Sequence, residues 1–135
     1  METKTEELAL LIARLEQALA TLDEVLAMSF SVIVRDATIQ RFEYCFELSW
    51  KLLKKVLKAD GIEVNSPRQA VRKAFENGYI DDIDVWFEML EDSNMTSHTY
   101  DPNIAEKVYE SAKELPVEAR KVLAKINCYG STLSK

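Results

Sequence analysis

The stretch RFEYCFELSWKLLKKVL, residues 41–57, decides the fold. It lies inside a helix expected over about 36–59, where Ile39, Phe42, Phe46, Trp50, Leu53 and Leu57 recur at spacings of three and four. That period gathers apolar side chains on one face of an α-helix. Gly61 then supplies a C-terminal stop.

The same logic extends in both directions. From Leu8 to Leu26 the apolar positions are Leu8, Leu11, Ile12, Leu15, Ala18, Leu19, Leu22, Val25 and Leu26. Three per heptad is the width of a core-facing bundle helix rather than of a narrow two-stranded seam. SFSVIV (29–34) is β-branched and apolar, and is expected to be a buried connector between the first two helices. NSPRQ (65–69) opens a third helix, with Ser66 as N-cap, Pro67 in the first turn and Gln69 completing a capping box; Asn77-Gly78 ends it. DDID (81–84) places acids at the positive end of a fourth helix with Ile83, Trp86, Phe87 and Leu90 on its inner face. Asp101 and Pro102 begin a fifth helix carrying Ile104, Val108, Tyr109 and Ala112, which Pro116 is expected to kink or restart.

Composition agrees with this reading. The chain has 135 residues, 47% hydrophobic and 30% charged, with only three glycines and three prolines. The length suits one ordinary domain and the balance suits an all-helical one. The expectation is an all-α, up-and-down bundle of four to five helices over residues 1–126, followed by a frayed tail at 127–135. The formal net charge of −6 disfavours polyanions except at a local basic patch. Cys45 and Cys128 have no CxxC spacing and read as free thiols in a reducing cytosol. No stretch approaches the apolar length of a membrane span, and acids interrupt the first apolar run, so a soluble cytoplasmic protein is expected.

Chemistry concentrates in DSNMTSHTYDP (92–102), which holds the single histidine. Counting by fours from Trp86 gives Leu90, Asn94 and His98, so two polar residues continue a core stripe. Buried, they would hydrogen-bond one another or a neighbouring helix. At a helix end, the imidazole and the Tyr100 phenol would instead reach the surface, as a general acid or base and as a nucleophile or modifiable group. Between Ala74 and Glu106 there are nine acids and no lysine or arginine, an unfavourable setting for a phosphodiester. The available cations are Arg35, Arg41, Arg68 and Arg72, with Lys51, Lys54, Lys55 and Lys58; as charge runs they read first as solvated faces. Asp82, Asp84, Glu88, Glu91 and Asp92 show no metal-cage spacing, and no metal or cofactor is expected.

RFEYCFELSWKLLKKVL (41–57), SPRQAVRKAFENGYIDD (66–82) and WFEMLEDSNMTSHTYD (86–101) together resemble the nucleotidyltransferase substrate-binding protein family, within the HEPN superfamily of helical bundles. The likeness covers roughly residues 5–126, with the three segments in order. It implies a homodimeric bundle that serves as the non-catalytic, substrate-binding partner subunit of a minimal nucleotidyltransferase, in a two-component system of toxin–antitoxin type. On this resemblance the chain is not an enzyme by itself. Ser93, Asn94, His98 and Tyr100 would line a binding interface, with Arg41 as a nearby cation and Trp50 and Trp86 packing its walls. The alternative it implies is a metal-independent HEPN ribonuclease toxin acting on RNA, with His98 catalytic and Tyr100 silenced by AMPylation. The family's motif is Arg, four residues, His, one residue, Tyr. Ser93 occupies the arginine position here, and a hydroxyl cannot replace a fixed cation on a scissile phosphate; such losses cost on the order of 10²-fold in rate.

Overall fold

A computed structural model describes residues 4–133. It contains α1 (Lys4–Leu26), α2 (Val32–Ala59), α3 (Pro67–Glu76), α4 (Ile83–Ser93), one 3₁₀ turn (Thr96–His98) and α5 (Pro102–Leu133). No strand occurs among the described residues, so the all-α expectation holds.

Local chemistry explains the helix ends. Ser66 Oγ accepts from Gln69 N at 3.2 Å, while Gln69 Oε1 reaches back to Asn65 N at 2.8 Å. This reciprocal pair satisfies donors left over at the helix start. Asp82 Oδ1 does the same for Val85 N on α4. At the other ends, Gly61 and Gly78 both take φ of 84°. Ile62 N then bonds Leu57 O and Gly61 N bonds Lys58 O, and Tyr79 N and Gly78 N repeat the pattern on Ala74 O and Phe75 O. These are Schellman closures, which need a left-handed residue that glycine adopts without strain.

The short connection after α1 makes α1 and α2 antiparallel. Asp23 pairs with Arg120 and Phe30 packs edge-on against Tyr109, so α5 descends as α1 ascends and runs alongside α2. One contiguous core contains Leu15, Leu19 and Leu22 of α1, Phe42, Phe46 and Leu53 of α2, Val71 of α3, Trp86 of α4, and Val108 and Leu115 of α5. Among the described residues no helix is long and apolar enough to cross a membrane.

One expectation is corrected and a second is narrowed. The connector SFSVIV is not buried: Phe30, Val32 and Ile33 are 64%, 56% and 81% exposed. Ser31 inside that run is an N-cap, accepting from Val34 N at 3.0 Å, so α2 starts at Val32, four residues earlier than its apolar period indicates. Wound into a first turn, successive side chains point roughly 100° apart and cannot all face inward. Nor does Pro116 restart α5, which runs through it without interruption. Ala112, Leu115 and Ala119 are fully buried on either side, and that packing holds the backbone across the lost hydrogen bond. The α5 backbone is helical through Leu133. Residues 134 and 135 lie outside those described.

Burial sets two expected outcomes. Leu53→Ala, at a fully buried position, should lower unfolding free energy by about 2–5 kcal/mol, whereas Ile33→Ala should stay within about 0.5 kcal/mol; urea denaturation of both variants checks the contrast. Burial, followed by the charge of Asp23, pushes the Cys45 thiol up to about 12. Alkylation mapped by mass spectrometry should therefore find Cys45 unreactive at pH 8 in the folded protein and labelled only after denaturation.

Candidate functional site

α4 carries the segment that holds the histidine. Its inner face is fixed by Trp86, 1% exposed and tilted against Phe46 of α2 at 6.2 Å. The helix then stops at Ser93, because small hydroxyl residues offer the backbone competing partners. Ser93 Oγ donates to Leu90 O at 2.7 Å, Thr96 Oγ1 to Ser93 O at 3.2 Å and Thr99 Oγ1 to Thr96 O at 3.1 Å. Backbone bonds from His98 N to Met95 O and from Asp101 N to His98 O close the turn. Asp101 Oδ1 caps α5 by accepting from Asn103 N at 2.9 Å. The whole stretch is thus wound on itself before α5 begins.

Ending α4 at Ser93 breaks the stripe drawn by counting fours. Asn94 and His98 are exposed, not buried, and Tyr100 is 84% exposed. The His98 and Tyr100 rings lie 6.3 Å apart, edge to face at 61°. An imidazole and a phenol are therefore brought together on a solvent-facing turn, where either can meet a partner molecule.

The remaining candidates make other contacts. Arg41 Nη1 donates to Thr21 O at 2.6 Å across the α1–α2 interface. Trp50 donates its indole N–H to Glu47 and lies beneath Lys54; that donation, with a further contribution from Lys51, holds the Glu47 carboxyl below its ordinary range. Trp86 belongs to the core. Among the described residues no hydrogen bond or ion pair links these three to His98 or Tyr100, and the Ser93 hydroxyl is turned back onto its own helix.

One residue escaped its sequence reading. Asp92, weighed only as a metal-binding acid, is 1% exposed. It accepts from the buried Ser111 hydroxyl of α5, and its other oxygen lies 3.4 Å from Lys107 Nζ. A buried carboxylate needs such partners, since an unpaired one carries a heavy desolvation cost. The available signal was position: Asp92 lies three residues after Met89, on the inner face. Lys107, the first cation after the acidic stretch, is thereby engaged. Beside this pair opens a groove of about 450 Å³ lined by Glu91, Asp92, Asn94, Met95, Ile104, Lys107 and Val108. Among the described residues no three His, Cys, Asp or Glu side chains converge on a possible metal position.

Known proteins resemble this arrangement. A Haemophilus influenzae protein named probable ribonuclease HepT is 32% identical over 93 residues, which are 65% of this chain and 64% of that protein. The chain therefore spans slightly less than two thirds of that relative. A crystal structure of a Thermus thermophilus protein superposes with a TM-score of 0.77 at 36% identity, covering 82% of this chain and 97% of the other. HI0074 of Haemophilus influenzae, whose structure is that of a substrate binding domain of a nucleotidyltransferase, superposes at 0.75 with 26% identity, covering 86% and 98%. Residues 5–127, nearly the whole bundle with its His98–Tyr100 turn, match the family of sequences termed nucleotidyltransferase substrate binding protein like, and the chain belongs to that family.

Proposed function

We propose that this chain is the non-catalytic, substrate-binding partner subunit of a small nucleotidyltransferase, in a two-component system whose second protein supplies the catalytic carboxylates. The observation that carries this reading is the His98–Tyr100 pair: two exposed rings on a turn that satisfies its own hydrogen bonds, with no ion pair or cation–π contact to either ring among the described residues. Such a surface offers donors, an acceptor and aromatic area to a protein partner at little ordering cost, because aromatic side chains have few torsions to fix. The groove beside Asp92 adjoins the same segment through Asn94.

A second reading, a metal-independent ribonuclease acting through His98 and controlled by AMPylation of Tyr100, is favoured by the name of the Haemophilus relative. Against it stand Ser93 at the motif arginine position, the engagement of Lys107 by Asp92 and the nine acids between residues 74 and 106. Without a cation, negative charge developing on a cleaved phosphodiester has no fixed counter-charge.

Co-purification from the native host, followed by mass spectrometry of bait and prey, tests the first reading. A small nucleotidyltransferase should be retained by the wild type. Tyr100→Ala and His98→Ala should each weaken that complex by about tenfold while leaving the thermal midpoint unchanged, since both side chains are exposed. Metal-free RNA cleavage by the isolated wild-type chain, abolished by His98→Ala, would instead establish the ribonuclease.

A further inference from the structure

Arg68 and Arg72 stand one turn apart on α3, both exposed. Their guanidinium carbons lie 4.9 and 5.4 Å from the centre of one ring, that of Phe87 on α4. Like charges at i and i+4 repel, yet each cation here is drawn to the electron-rich face of the same aromatic. Phe87 is half-buried and packed against the core, so the ring is a fixed seat rather than a mobile one.

Neither arginine is paired with an acid among the described residues. Lys73, on the same helix, pairs with Glu76 at 3.2 Å, Lys51 pairs with Glu47 at 3.1 Å, and Arg120 pairs with Asp23 at 2.6 Å. Asp84, Glu88 and Glu91 surround Phe87 along α4, and Glu63 precedes α3. Even so, among the described residues no ion pair or hydrogen bond engages either arginine. Two planar forks, each with five N–H donors, are therefore positioned and open to solvent. Arg68 is also the second residue of α3, where the helix dipole adds positive potential.

We propose that Arg68 and Arg72, seated on Phe87, form a binding site for a compact phosphate dianion of the phosphomonoester class. Guanidinium forks match phosphate oxygens two at a time, and two of them balance a dianion. The neighbouring acids of α4 and the net charge of −6 oppose a long polyanion, which would have to cross them. The site lies on the α3–α4 face and does not depend on the role assigned to His98 and Tyr100.

The intact chain would be titrated at low salt with inorganic phosphate and with glycerol phosphate, following the arginine Nε–H resonances together with calorimetry. The expected result is saturable binding with shifts confined to Arg68 and Arg72, lost in the Arg68→Gln, Arg72→Gln double variant. Arg72→Lys should bind about tenfold more weakly, because it keeps the charge and loses the fork. Phe87→Leu should also weaken binding although both charges remain, an effect that charge alone would not produce. Absence of saturable shifts at either arginine overturns the proposal, as does binding unchanged in the double variant. Single-stranded RNA that binds more tightly than glycerol phosphate, through the same arginines, overturns the compact-dianion assignment in favour of a nucleic-acid contact.

Discussion

The bundle depends on α2, which among the described residues packs against every other element. A helix in that position cannot keep a narrow apolar stripe. Ile39, Phe42, Cys45, Phe46, Leu52, Leu53, Val56 and Leu57 are all buried, and the Thr38 and Ser49 hydroxyls are buried with them. Those hydroxyls donate to the carbonyls one turn earlier, Val34 O and Cys45 O, so polar groups enter the core without stranding a donor. Contact between Phe46 and Trp86 then fixes α4 against α2, and the place where α4 stops determines where His98 and Tyr100 emerge.

Charge is distributed so that ion pairs join helices distant in sequence. Arg120 bridges α5 to Asp23 of α1, an interaction that raises the arginine's proton affinity, and Lys125 reaches Asp81 ahead of α4, holding that carboxyl below its usual range. Lys55 and Glu7 join α2 to α1. Exposed pairs of this kind contribute little individually, but each occupies a cation that could otherwise draw an anion. Arg68 and Arg72, held on Phe87, form no such pair among the described residues.

Much of the fold was legible because helices announce themselves by period and punctuation. Ser66, Gly61, Gly78, Asp82 and Asp101 act where their residue types place them. Ser31 did not announce itself, being hidden in an apolar run whose composition suggested burial. Counting by fours from Trp86 failed for a related reason: it assumed a helix that the hydroxyls of Ser93 and Thr96 end. The contacts of Asp92 with Ser111 and of Arg68 and Arg72 with Phe87 had no local signature at all. Each joins different helices 15 to 19 residues apart, and only the packing of α3, α4 and α5 brings the partners together.

The bond between Asp92 and Ser111, with Lys107 beside it, has a consequence for the turn that follows. It ties the last turn of α4 to the early part of α5, so residues 93–101 form a loop pinned at its base. Closing a chain restricts its conformational entropy by an amount that grows only slowly with length, and here that restriction is imposed as the bundle folds. A molecule arriving at Tyr100 therefore meets a tip whose freedom has already been reduced, and the bundle beneath it need not rearrange.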